Sequence, residues 1–292
     1  MNIGLIDVDG HNFPNLALMK ISSYHKSKGD NVKWWFGLER YDCVYKSKVF
    51  TFTPDVESVI LADEVIEGGT GYDIKSVLPK EIETMCPDYS LYPQFSEAYG
   101  FITRGCPRGC AFCCVGEKEG LESKQVSDID GFYRGQKIIK LLDPNLLACI
   151  AAERILKGLS KTRAFIDFTQ GLDIRLMDAE RAELIKHLRV KMLHFAWDNP
   201  KQDLTSQFKR VKDWLKYDHR KLGVYVLTNF NSTHEEDLHR IYTLRELGYD
   251  PYVMIFNKEA APRETRLLQR WVNNRIIFNS CRRFEDFDPK KG

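Results

Sequence analysis

Residues 104–120 read Arg-Gly-Cys-Pro-Arg-Gly-Cys-Ala-Phe-Cys-Cys-Val-Gly-Glu-Lys-Glu-Gly, which separates Cys106, Cys110 and Cys113 by three residues and then two. One short loop therefore offers three thiolates to one metal centre. A cubane iron-sulfur cluster has four irons whose usual protein ligand is cysteine thiolate, so three cysteines leave one iron open to a further ligand. A tetrahedral structural zinc site needs a fourth Cys or His at comparable spacing. The nearest spare thiol, Cys114, abuts Cys113 and points elsewhere in most loop geometries, so zinc fits less well.

Outward from the loop, strand-like and helix-like segments alternate along the chain, the pattern of a parallel α/β architecture. The cysteines follow a strand expected over 98–103, and further strands are expected over 137–142, 164–168, 191–197, 222–229 and 251–256. Helices are expected over 179–187, 204–216 and 235–247, where apolar residues recur at steps of three and four. A strand-like piece over 275–279 extends the edge. Six strands fit an incomplete (β/α)6 barrel. Before it, residues 1–95 read as a small Rossmann-like sheet: an apolar strand over 3–6, a helix over 15–28 ended by Gly29, and strands over 31–36, 41–50 and 63–67. The proline-bearing stretch 79–95 reads as a connector, giving blocks 1–95 and 96–292.

The spacing at Cys106, Cys110 and Cys113, with aromatic Phe112 just before the last cysteine, resembles the hallmark of the radical S-adenosylmethionine (SAM) superfamily. The resemblance implies a [4Fe-4S] cluster on these three cysteines, with SAM chelating the open iron through its amino and carboxylate groups. It further implies one-electron cleavage of SAM to methionine and a 5'-deoxyadenosyl radical that abstracts hydrogen from a substrate. A one-electron donor of flavodoxin or ferredoxin type is the expected partner. The resemblance implies a substrate of either small-molecule or macromolecular class.

In parallel α/β sheets functional groups gather at the carboxyl ends of strands. Here those ends are polar, and Asp143, Gln170, Asp173, Arg175 and Asp198 supply the donors and acceptors that SAM needs. Arg175 is a candidate partner for the SAM carboxylate, and Asp143 is expected to face the cavity. The family's glycine-rich ammonium-binding motif after the second strand is not visible, and Leu-Leu-Asp-Pro-Asn at 141–145 takes its place. Helix capping and surface salt bridges are the plainer roles for the same residues.

The first block resembles the cobalamin-binding-type domains that precede the cluster motif in one branch of the superfamily. Residues 9–14, Asp-Gly-His-Asn-Phe-Pro, echo the D-x-H-x-x-G cobalt-ligating loop, with Pro14 where the last glycine belongs. That makes His11 a candidate cobalt ligand and cobalamin-dependent methyl transfer an alternative chemistry. The plainer reading gives His11 a turn in a vestigial domain packed on the barrel. From a different class, the same cysteines would serve a noncatalytic iron-sulfur or zinc protein.

Composition bounds the rest. A chain of 292 residues with 43% hydrophobic content can bury a large core. Eight cysteines without a signal peptide or a long apolar run fit a reducing, cytoplasmic setting and no membrane association. A net charge of +2 supplies no global field toward nucleic acid. Bases beside aromatics, as at Lys209, Arg210, Lys212 and Lys216 near Phe208 and Trp214, and at Arg263, Arg266 and Arg270 before Trp271, leave nucleic acid open as a substrate. The helical spacing of Phe208, Val211, Trp214 and Leu215 favours a buried face there. Among the remaining cysteines Cys281 is a candidate hydrogen donor, although buried inert thiols are the commoner case.

Overall fold

In the computed structural model, which describes residues 1–290, two parallel sheets share the chain. Residues 291 and 292, the last two of the 96–292 block, lie outside the described residues. The first sheet starts with β1 (Asn2–Asp7). Helix α1 (Leu16–Ser27) follows because the Asn15 side chain accepts the Leu18 N–H at 3.2 Å, and it ends where Gly29 takes a φ of +83°. Strands β2 (Asn31–Trp34), β3 (Tyr41–Ser47) and β4 (Ala62–Gly68) complete the order β2-β1-β3-β4. Ile3 and Leu5 on β1 meet Leu18 and Met19 on α1, an alternating strand against an amphipathic helix. The opposite face, Ile6 and Val44 with Tyr41, packs against Val8, Trp35, Val56 and Ile60.

The connector is anchored to both blocks. It carries the short helix α2 (Lys80–Glu83) and a 3-10 turn over Tyr89–Leu91. The Tyr92 hydroxyl donates to Asp7 at 2.7 Å, and the Tyr89 hydroxyl donates to the Phe132 carbonyl at 2.7 Å.

The second block runs β5 (Ala98–Gly100), β6 (Thr103–Arg104), α3 (Val115–Glu119), β7 (Lys124–Gln125) and β8 (Ile138–Leu141). It continues through α4 (Ala152–Leu159), β9 (Phe165–Phe168), α5 (Ala179–Lys186), β10 (Val190–Ala196), α6 (Thr205–Leu215) and β11 (Leu222–Thr228). It closes with α7 (His234–Glu246), β12 (Asp250–Ile255), α8 (Arg263–Asn273) and α9 (Arg275–Ser280). Its parallel sheet has the order β5-β8-β9-β10-β11-β12, so each strand lies beside its predecessor in that series. One face, with Ile139, Ile166, Leu193 and Val224 at or near zero exposure, buries against Leu156, Ile185, Phe208 and Leu244 of α4 to α7. Each such side chain contributes about 1.5–3 kcal/mol on burial. The period of two turns Lys140, Asp167, His194 and Tyr225 to the other face.

Two expectations are corrected. The strand expected over 98–103 is two strands: β5 stops at Gly100, where a side chain would collide with the Phe132 ring, and β6 pairs antiparallel with β7. The strand-like piece over 275–279 is helix α9. The Asn274 side chain accepts the Ile276 and Ile277 N–H groups, and Phe278 packs on Trp271, so capping and tertiary contact override the β-branched composition.

Candidate functional site

The cysteine loop is the excursion between β6 and β7, and its base is fixed by local chemistry. Gly105 has a φ of +86°, and any side chain there would collide with the Glu122 carbonyl oxygen. Its N–H donates to the Glu119 carboxylate at 3.0 Å, which also takes Arg104 at 2.8 Å. The Cys106 N–H donates to the Gly120 carbonyl at 3.1 Å, and a turn brings the Cys113 N–H to the Cys110 carbonyl at 2.9 Å. Lys118 on α3 reaches back to the Ile74 and Ser76 carbonyls of the first block, at 3.4 and 3.5 Å.

The loop lies across the carboxyl ends of the larger sheet. After β8, the Asn145 amide donates to the Cys106 thiol at 3.5 Å. After β9, Asp173 pairs with Arg108 from the loop and with Arg175 at 2.7 Å. After β11, the Phe230 ring meets Phe112 at 5.4 Å, edge to face. Arg175 also donates to Gln202 at 3.0 Å. After β10, Asp198 accepts the Leu227 N–H at 3.2 Å, and the Asp198 carbonyl takes Arg240 at 3.1 Å. Arg240, 1% exposed, also bonds the Trp197 and Leu227 carbonyls and Asp237, an ion-paired network that fixes the β10 and β11 ends.

The electrostatics follow from this assembly. Burial pushes the Cys110 thiol up, and Cys113, Cys106 and Asp198 push it the same way against Arg175. Cys113 is exposed at the loop surface, yet partial desolvation raises it too, helped by Cys114, Cys106 and Asp198. Three thiolates at this edge repel one another unless a cation lies among them. Burial drives Asp198 up to about 6, opposed by its Leu227 bond and by Arg240. Asp173 is also buried, which favours the neutral acid, but Arg175 and Arg108 outweigh burial and hold it below the usual carboxylate range.

Asp143 has a different task from the one its position suggested. It is 4% exposed and accepts the Ile102 N–H at 3.2 Å, the Thr103 N–H, and the Thr103 hydroxyl at 2.7 Å. The acid thereby clamps the start of β6 and the loop that follows it. Gln170 is exposed at the end of β9, and its side chain hydrogen-bonds to nothing among the described residues. His11 sits on the first block, exposed, with its ring 4.1 Å from Trp34 and 5.8 Å from Tyr92. Its neighbour Asp9 accepts the Val49 N–H, the Phe50 N–H at 3.3 Å and the Thr53 hydroxyl at 2.6 Å, tying the loop after β1 to the loop after β3. Cys281 lies away from the thiol loop: its carbonyl takes the Trp271 indole N–H at 3.0 Å and Arg245 at 3.5 Å, at the amino-end side of β12.

Several residues at the site were not singled out from sequence. Arg108, inside the cysteine loop, and Asn145, two positions after Asp143, were within the quoted motifs. Gln202 and Arg240 carry no local signal. On the open face, Asp167 receives one weak bond from Thr169 at 3.3 Å, and the His194 ring lies parallel to Tyr225 at 5.0 Å. Gly223 makes this possible, since a side chain there would press on the His194 ring at 2.7 Å. Their signal was one polar side chain per strand on the face opposite the apolar core residues.

The three thiols suit a soft iron-sulfur group rather than a hard cation. The Asn145 Oδ1 atom, beside Cys106, is buried with no hydrogen-bond partner, an orphan at the rim of the thiol loop. Among the described residues no group of three or more His, Cys, Asp or Glu side chains is gathered as a single-ion site. Among them no helix is long and apolar enough to cross a membrane. Fold and site together define a class: a parallel α/β protein with a three-cysteine loop across the carboxyl edge of its larger sheet. No family model and no curated protein matches the chain.

Proposed function

We propose that the chain is a radical SAM enzyme, with a six-stranded partial barrel following a Rossmann-like block. The observation that carries this reading is the span of the cysteine loop: contacts at Asn145, Asp173 and Phe230 bring Cys106, Cys110 and Cys113 over the carboxyl ends of β8 to β11. Cys106, Cys110 and Cys113 would hold a [4Fe-4S] cluster, with Asn145 and Phe112 beside it. When bound, that group supplies the electron for cleavage of SAM to methionine and a 5'-deoxyadenosyl radical.

The chain's own residues then have separable tasks. Arg175, oriented by Asp173 and Gln202, presents a fixed cation to a carboxylate. Asp198 holds a half-shielded carboxyl near Cys110, suited to an ammonium or hydroxyl. Gln170 offers a free amide at the same edge. Asp143 and Glu119 keep the loop in register. The open sheet face, with Lys140, Asp167, His194 and Tyr225, faces the space where a substrate would approach. His194 gives its Nδ1–H to the Phe168 carbonyl at 3.1 Å, leaving Nε2 as its acceptor.

The cobalamin-dependent alternative rests on His11, which stands after β1, next to the point where the order of the smaller sheet reverses between β1 and β3. We assign His11 to packing instead, because it stacks on Trp34 and because Asp9 fastens the loop beside it. SAM-dependent release of 5'-deoxyadenosine by the reconstituted protein tests the main reading against a noncatalytic iron-sulfur protein.

A further inference from the structure

Positive charge is concentrated in the C-terminal part of the chain. Between Lys258 and Arg283 seven Lys and Arg residues stand against two Glu, whereas the whole chain carries only +2. Part of this charge lines a groove of about 660 Å³ along the outer edge of β12, bounded by Tyr252, Lys258, Arg270, Asn273, Asn274 and Arg275. Lys258 is exposed. Arg275 pairs with Asp250 at 2.8 Å while its side chain stays 63% exposed.

The backbone edge of β12 is already satisfied at Val253. Its N–H donates to Asn273 Oδ1 at 2.8 Å, and its carbonyl accepts Asn273 at 3.0 Å and Gln269 at 3.2 Å. An added β-strand is therefore not the occupant. What the groove offers is cationic side chains beside an aromatic platform, since Tyr252 is 48% exposed and Met254 beside it on the same face is 47% exposed. Trp271, the aromatic nearest the α8 arginines in sequence, is fully buried and cannot stack on a ligand.

We propose that this groove binds single-stranded nucleic acid, with phosphates against Lys258 and the exposed Arg275 and a base on Tyr252. Cations that track a backbone beside an exposed ring are the two parts of sequence-tolerant strand binding. An acidic peptide would use the cations and leave the ring without a role. The groove adjoins the open sheet face, since Tyr252 meets Tyr225 edge to face at 6.0 Å, but strand binding needs no cluster, so either proposal can fail alone.

The test is fluorescence anisotropy of a labelled eight-nucleotide single strand, RNA and DNA, titrated with the full chain before and after iron-sulfur reconstitution. Two phosphate contacts predict a slope of about −1.4 in log K against log salt. Lys258→Glu, an exposed position, should weaken binding at least tenfold and flatten that slope. Tyr252→Ala should weaken binding about tenfold with the slope unchanged. Thermal melts of both variants matching the parent would tie the losses to the groove. Absence of binding, equal binding of a duplex or of a poly-glutamate peptide, or full affinity in Lys258→Glu would overturn the proposal.

Discussion

Asp143→Asn separates the two forces on the clamp of the cysteine loop. The carboxylate accepts three hydrogen bonds from Ile102 and Thr103, which favour its charged form, yet burial dominates and lifts it from the ordinary 3.8 to about 6. A carboxyl raised on folding binds its proton more tightly in the folded chain, so its contribution is greatest in acid and is lost as pH rises from about 4 through 6. The rise from 3.8 to about 6 corresponds to about 3 kcal/mol in all. The asparagine variant does not titrate, and Asp198, which shifts the same way, cancels in the difference. Urea unfolding of both proteins between pH 4 and 7 should show the parent losing about 2.4 kcal/mol relative to the variant as pH rises. A difference that stays flat, or one that grows in the parent's favour toward pH 7, would show that the three hydrogen bonds outweigh burial and would refute the reasoning.

Other outcomes follow from single residues. Gly105→Ala should cost about 2 kcal/mol or more in denaturant melts and speed protease cleavage of the cysteine loop, because the position combines positive φ with a backbone collision. Arg240→Met should cost about 3–5 kcal/mol in thermal unfolding, since it strands Asp237 and the Trp197 and Leu227 carbonyls in the core. Arg175→Ala should leave the melting temperature within a few degrees of the parent, as a partly exposed ion pair is worth little, while weakening SAM at least tenfold by calorimetry.

What the sequence disclosed was whatever is local. The cysteine spacing needs no fold to be read, and the larger sheet's strands announced themselves through short apolar runs between amphipathic helices such as α6, whose Phe208, Val211 and Leu215 are buried as their spacing suggested. Helix α9 was missed because Arg-Ile-Ile-Phe-Asn has strand-like composition, and its helical state depends on the Asn274 cap and on Trp271 from another element. The ribbon of β6 and β7 was missed because its register depends on Asp143, about 40 residues away in sequence. The same distance hid the partners of Asp143. Arg108 with Asp173 and Phe112 with Phe230 are likewise long-range partners, invisible until the sheet sets the strand ends side by side. Lys212, one of the bases noted on α6, donates instead to the Tyr217 and Gly248 carbonyls, a structural task that a charge pattern does not reveal.

The central claim is tested most directly by anaerobic reconstitution of the protein with iron and sulfide, addition of SAM and dithionite, and mass-spectrometric assay of 5'-deoxyadenosine against a Cys110→Ala control. Formation of 5'-deoxyadenosine and methionine by the parent alone is the result expected of the three-cysteine loop. A parent that takes up four irons per chain yet yields no 5'-deoxyadenosine above the Cys110→Ala control would contradict it.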